Sequence, residues 1–446
     1  MKNLLFLFLL MFMVKVSAQQ ILNEESRAEI VDDILADRFE NLLPELMDKS
    51  GIDMWILISR EYNEDPILKN MLPADWLNAR RRTILVFYRN KSQNRLDRLA
   101  VAPYNFGANI QSAWDRSKQP DQWKRLMEII QERNPDKIGL NYSDHFNIAD
   151  GIDYTDYKTF MDYLPKKYKS RVVSAQPLGT AWIETRTERE MVIYEQLVSI
   201  THDIIEEAFS EKVISPGITT TSQVEWWMRD RVRSLGLDTW FHPTVDVQRT
   251  NEDHKSHLYS FSDRPNDQII LPGDLLHCDF GITYLRLNTD CQELAYVLKP
   301  GEEQAPDFLV KAFHEGNRVQ DIFTNNFVAG KSGNDILKKS LEEAKSEGLR
   351  PSIYTHPLGS YGHSSGVTIG MWDKQDGVPV TGDYLLNVNT VYAIELNTTV
   401  YIEEWKRDIR VMLEEAGYFG SKGFRYVNGR QDAFLLIPRI DTHQQR

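Results

Sequence analysis

The sequence predicts an α+β chain of two domains, a smaller α/β unit followed by a strand-rich one. Three observations lead there. Short apolar runs alternate with helical periodicity over roughly 150 residues of the N-terminal half. Capping-box signatures then open amphipathic helices at Thr187-x-x-Glu190 and Ser222-x-x-Glu225. From Pro272-Gly273-Asp274 onward the text is dominated by strand-forming runs.

The elements follow in order. Lys2, the apolar run Leu4–Val14 and the small residues Val16-Ser17-Ala18 read as a secretory signal peptide over residues 1–18, cleaved before Gln19. Lys15 interrupts the run, which is short for a bilayer span, so a retained anchor is the lesser alternative. No cysteine follows the cleavage site as a lipoprotein would need. The expectation is an exported protein, periplasmic or secreted, with no stable membrane anchor after cleavage. Residues 24–48 place Ile30, Ile34, Phe39, Leu43 and Leu46 at helical spacing. Strands are expected at 54–59, 83–88, 98–102 and 137–141, and helices at 122–133 and 154–163, which makes 24–180 an α/β domain.

A second domain is expected over 187–440. Its first helix carries Ile193, Leu197, Ile200, Ile204 and Ala208 on one face and is read as broken by Pro216-Gly217. The next has Val224, Met228, Val232 and Leu235 inward and Gly236 as its stop. Asn428-Gly429 reads as a hairpin turn.

At 446 residues the chain is too long for one compact core. With 41% hydrophobic and 26% charged residues it has the composition of a globular enzyme, and its net charge of −13 argues against a nucleic-acid partner. The two cysteines, Cys278 and Cys291, each adjoin an aspartate. If Asp279 and Asp290 face each other across two antiparallel strands, the cysteines pair on the opposite face, as a disulfide or as two buried thiols.

Five residues carry the chemistry. Asp279 in HCDFG and Asp290 in NTDCQ stand eleven positions apart, and His363, Glu395 and Glu414 follow in GHSSG, AIELN and MLEEA. Alternation puts His277 and Asp279 on one strand face, and Asn288 and Gln292 beside Asp290. Two buried carboxylates this close cost several kcal/mol unless cations or donors compensate. Glu395 and Glu414 each follow an apolar run and read as acids at strand ends. Each residue alone has a bland surface or loop reading; the set of five in this order suits two divalent cations, which polarise a carbonyl and supply hydroxide near neutral pH.

The order Asp, ten residues, Asp, then His, Glu and Glu resembles the pita-bread metallopeptidase family, which includes methionine aminopeptidase, aminopeptidase P, prolidase and the metal-free creatinase. The resemblance covers roughly residues 185–440, supported by SPGITT, DRPNDQIILPGD and FRYVNGRQDAFLLIPR. It implies a pita-bread catalytic domain preceded by the α/β domain of the Xaa-Pro peptidase branch. It further implies two divalent ions, Mn²⁺ placed first with Zn²⁺, Co²⁺ or Fe²⁺ compatible. Asp290 and Glu414 would contact both ions, Asp279 one, and His363 with Glu395 the other. Glu395 would also act as general base toward a metal-bridging hydroxide. The implied substrate is a short peptide or dipeptide with proline in second position, and members of this branch often form homodimers.

The chain departs from that pattern in places. A histidine expected seven residues after His363 is Gly370, and IEPG is replaced by IELN. A further family histidine falls nearest His257, shifted by a residue. His356 is a candidate for one of these catalytic tasks, with a structural role as the alternative. Two competing readings follow: the same metal fold acting on a non-peptide C–N bond or as a lyase, and an inactive binding protein on a peptidase scaffold. A serine hydrolase lacks its GxSxG, and Gly330-Lys331-Ser332 lacks the upstream glycine of a P-loop.

Overall fold

A computed structural model describes residues 21–250 and 267–439; residues 1–18, read above as a signal peptide, and His257 lie outside the described residues. The chain opens with α1 (Glu24–Asp37), capped by Asn23, whose side chain accepts from the Ser26 N–H. A π-turn over Arg38–Leu42 leads into α2 (Leu43–Ser50), which stops at Gly51 with φ +66°. The helical stretch expected over 24–48 is thus two helices, the second with Pro44 in its first turn.

Next come β1 (Met54–Arg60), α3 (Pro66–Asn70), β2 (Arg82–Asn90), β3 (Arg95–Ala100), β4 (Gln111–Ser112), α4 (Gln122–Arg133) and β5 (Ile138–Leu140). After them follow α5 (Tyr154–Tyr163), α6 (Lys166–Lys169), β6 (Val172–Ser174) and α7 (Gln176–Glu184). The strands form one mixed sheet in the order β4-β3-β2-β1-β5-β6. β1 is apolar from Met54 to Ile58 because both its faces are covered there. Met54, Ile56 and Ile58 join Leu126, Ile130 and Phe160, while Trp55 and Leu57 join Phe39, Leu43 and Trp182.

The second half begins with α8 (Glu188–Ala208), whose capping box is the expected Thr187 and Glu190. It ends at Phe209, well before Pro216-Gly217, so the proline follows a helix that has already stopped. In α9 (Thr221–Ser234) the capping pair is Thr220 with Gln223, two residues earlier than Ser222 and Glu225. Glu225 instead accepts the Val245 N–H at 2.9 Å.

A nine-stranded sheet follows, built from β7 (Thr244–Gln248), β8 (Leu275–Phe280), β11 (Cys291–Val297), β12 (Pro351–Ile353), β13 (His356–Leu358), β14 (Thr390–Ile402), β15 (Arg407–Gly420), β16 (Gly423–Tyr426) and β17 (Leu435–Ile437). The short β9 (Thr283–Tyr284) and β10 (Leu287–Asn288) form a hairpin between β8 and β11. Helices α10 (Asp307–Asn325) and α11 (Gly333–Ser346) separate β11 from β12. The main path runs β12-β14-β15-β11-β8-β7. Asn428-Gly429 is not a hairpin turn: β17, beyond it, pairs parallel with β11, and the tight hairpin is β15–β16 across Ser421-Lys422.

One side of this sheet is covered by helices. Gly316 of α10 packs so closely on Val411 and Leu413 that an added Cβ would lie 2.7 Å from Val411. α11 contributes Ile336, Leu337 and Leu341 over Ile394 and Leu396. Two contacts fasten the halves of the chain together. Glu190 is buried between Arg38 and Arg186, each 2.7 Å from one of its oxygens. The hydroxyl of Tyr361 donates to the carbonyl of Pro66 at 2.7 Å.

Candidate metal centre

Strand register builds the site. Asp279 pairs with Gln292, Gln292 with Glu414, and Glu414 with Glu395, giving one row across β8, β11, β15 and β14. Asp279 therefore does not stand opposite Asp290. Asp290 lies just ahead of β11, and its carboxylate reaches the row from beside Gln292. Cys278 pairs with Glu293 and Cys291 with Phe280, so the two buried thiols are diagonal neighbours, and both are free. Glu395 and Glu414 are mid-strand residues and not strand ends; β14 and β15 run several residues past each. On the other face Glu395 is flanked by Ile394 and Leu396, and Glu414 by Leu413 and Glu415.

The ligating atoms converge. Asp279, Asp290 and Glu414 form one group within 4.8 Å, His356, Glu395 and Glu414 a second, and Asp290, His356 and His363 a third. The five residues of the sequence pattern are thus gathered in one place, with His356 at their centre. Its Nε2 lies 3.8 Å from Asp290 and 4.0 Å from Glu414, and its Nδ1 is 3.0 Å from the Pro357 carbonyl. The ring meets that of His363 edge-on at 4.7 Å. His363 stands at the open edge, its ring against Trp240 at 5.2 Å. Gly362 permits this, since a Cβ there would sit 2.4 Å from the Trp240 ring. Trp240 is held by a 2.8 Å bond from its Nε1 to the Thr289 carbonyl.

The electrostatics demand positive charge. Burial first, and then the neighbouring carboxylates, push Asp290 and Glu414 well above the usual carboxylate range; Glu395 is raised by burial and by Asp279. Burial and the His363 ring push His356 down to about 4, so its imidazole is neutral at physiological pH, the form that coordinates a cation. Oδ1 of Asp290, Oε1 of Glu414 and Nε2 of His356 are buried with no hydrogen-bond partner. Three orphaned ligating atoms aimed at one another fit a cation in a mixed oxygen and nitrogen shell.

Gln292 is the residue the sequence did not single out as functional. Its Nε2 donates to Glu395 at 2.6 Å and to Glu414 at 2.7 Å, while its Oε1 lies 2.8 Å from Nε2 of His277. His277 in turn lies 3.4 Å from Asp246. A polar chain on one face of otherwise apolar strands was the available signal. Gly370 has φ +72°, and a Cβ there would meet the Ile353 carbonyl oxygen at 2.0 Å. No histidine fits that position in this backbone.

A row of carboxylates on one sheet face, closed by two imidazoles, defines a metal-dependent hydrolase of the pita-bread fold. The chain belongs to metallopeptidase family M24, whose pattern matches residues 193–423. Among solved structures it resembles the X-Pro aminopeptidase of Thermotoga maritima, with 16% identity over 88% of this chain and 99% of that one and a TM-score of 0.61. It also resembles the Xaa-Pro dipeptidase of Bacillus anthracis, with 15% identity over 93% and 100% of the two chains and a TM-score of 0.59. For the prolidase of Pyrococcus furiosus the values are 14%, 87%, 99% and 0.54. At these identities the likeness establishes the fold. No curated protein is close enough in sequence to be matched.

Proposed function

We propose that the protein is an exported Xaa-Pro peptidase that uses two divalent cations, Mn²⁺ first, to remove an N-terminal residue from proline in short peptides or dipeptides. The observation that carries it is the row Asp279, Gln292, Glu414, Glu395, with Asp290, His356 and His363 closing it. Asp279, Asp290, His363, Glu395 and Glu414 would hold the cations, and His356 adds a neutral imidazole between the two groups. When bound, such ions polarise the scissile carbonyl and supply hydroxide near neutral pH. Glu395 takes the proton from the attacking water and returns it to the leaving nitrogen. Gln292 fixes that carboxylate through the 2.6 Å bond to Oε1. His363 and Trp240 border the opening. Export rests on the reading of residues 1–18.

The second reading, a non-peptide C–N bond or a lyase reaction, is favoured by one observation: the backbone at Gly370 excludes the side chain that would bind a peptide carbonyl. The test is hydrolysis of Xaa-Pro dipeptides and tripeptides by chelator-stripped protein with Mn²⁺, Zn²⁺ or Co²⁺ restored, beside Glu395→Ala. Metal-dependent cleavage absent in the variant supports the peptidase. Metal uptake without cleavage of either peptide rejects it in favour of the second reading.

A further inference from the structure

A second cluster of ligating side chains lies on the opposite, helix-covered side of the same strands. His202 comes from α8, Cys291 from β11 and Glu415 from β15, and their ligating atoms all lie within 4.8 Å of one another. Nε2 of His202 is 2.9 Å from Oε2 of Glu415 and 3.8 Å from Oε1 of Glu293. Glu293 is only 5% exposed. Cys291 is fully buried.

A plain His202–Glu415 ion pair explains part of this. Glu415 is satisfied by that contact together with the Gln431 N–H, 2.9 Å from its Oε1. It leaves Glu293 as a second buried carboxylate sharing one imidazole, and it gives the thiol beside them no role.

We infer that His202, Cys291 and Glu415 bind one further divalent cation of the zinc type, with Glu293 as the fourth ligand. Nitrogen, sulfur and carboxylate oxygen together suit Zn²⁺ and exclude the hard ions that an all-oxygen shell would take. Ligand distances of about 2.0–2.3 Å in a tetrahedron put the ligating atoms roughly 3.3–3.7 Å from each other. The 2.9 Å contact has to open slightly and the longer ones to close by about 1 Å, within reach of side-chain rotation. Binding releases the thiol proton of Cys291 and the ring proton that His202 shares with Glu415. The ion would tie α8 to β11 and β15, behind Asp290 at the start of β11 and Glu414 in β15. His202, whose side chain is 16% exposed, provides the way in.

Cobalt tests this directly, because only thiolate ligation gives a sulfur-to-cobalt charge-transfer band in the near ultraviolet, and the carboxylate centre contains no sulfur. Full-length mature protein is stripped with chelator and titrated with Co²⁺. The band is expected in the wild type, in Cys278→Ala and in Glu395→Gln. It is expected to vanish in Cys291→Ala, with cobalt uptake lower by one equivalent. His202→Gln, expected to lose the same equivalent, covers the case in which Cys291→Ala does not fold. Saturation of the wild type without the band overturns the inference, as does a band that survives Cys291→Ala or depends on Cys278. Neither result bears on the peptidase reading, which Glu395→Ala tests separately.

Discussion

Replacing Gln292 by leucine keeps the volume of the side chain and removes the amide that two carboxylates share. Three bonds are lost, from Nε2 to Glu395 and Glu414 at 2.6 and 2.7 Å and from Oε1 to His277 at 2.8 Å. Both carboxyls hold protons in the metal-free protein, so an ordinary hydrogen bond of about 0.5–1.5 kcal/mol applies to each, and the loss should be roughly 1.5–4.5 kcal/mol. With a urea m-value of about 3 kcal/mol/M, that is a fall in midpoint of roughly 0.5–1.5 M. The assay is urea unfolding of chelator-stripped protein, followed by tryptophan fluorescence. Gln292→Glu is the stricter companion: it still accepts from His277 but adds a carboxylate to the row, and at pH 8 it should lose more than the leucine variant. A Gln292→Leu midpoint within about 0.3 M of wild type, under roughly 1 kcal/mol, would refute the view that this amide holds the row together.

Four further outcomes are expected. Gly370→His should not raise peptidase activity and should destabilise by roughly 2–6 kcal/mol, the sum of backbone strain and overlap with the Ile353 carbonyl, read by thermal unfolding. Glu190→Ala strands Arg38 and Arg186 in the interior and should cost about 3–5 kcal/mol in chemical denaturation; a loss below 1 kcal/mol would show the clamp to be idle. Burial pushes Glu184 up to about 7 against an ordinary 4.5, so its folded form retains a proton that the unfolded chain has released. Its stabilising contribution is therefore present below pH 4.5 and is lost as pH rises through about 7, a decline of roughly 3 kcal/mol that Glu184→Gln should abolish. Mature protein recovered from outside the cytoplasm should begin at Gln19, which N-terminal sequencing decides.

Much of the frame was legible because local rules sufficed. The capping box at Thr187 and Glu190 and the helix spans Gln122–Arg133 and Tyr154–Tyr163 rest on signals a few residues long. Where two signals compete, the sequence cannot choose. Thr220 with Gln223 outranks Ser222 with Glu225 because Glu225 is engaged by the Val245 N–H from a distant strand. Register was the larger omission. The spacing of Asp279 and Asp290 suggests that they face each other, but the β9–β10 hairpin takes up residues between them and moves Gln292 opposite Asp279. Placement of His356 depends likewise on β13 pairing beside Glu395's strand, a contact between segments far apart in the chain.

The shared row has an evolutionary consequence. Asp290 and Cys291 are consecutive, as are Glu414 and Glu415, and each pair sends its members to opposite sides of the sheet. Loss or gain of a single residue in β11 or β15 would exchange them, carrying acids under the helices and a thiol into the opening. Point substitutions can tune either side independently, whereas length changes in these strands are tolerable only in steps of two. Divergence here is confined to spelling, and insertions are pushed out to the loops.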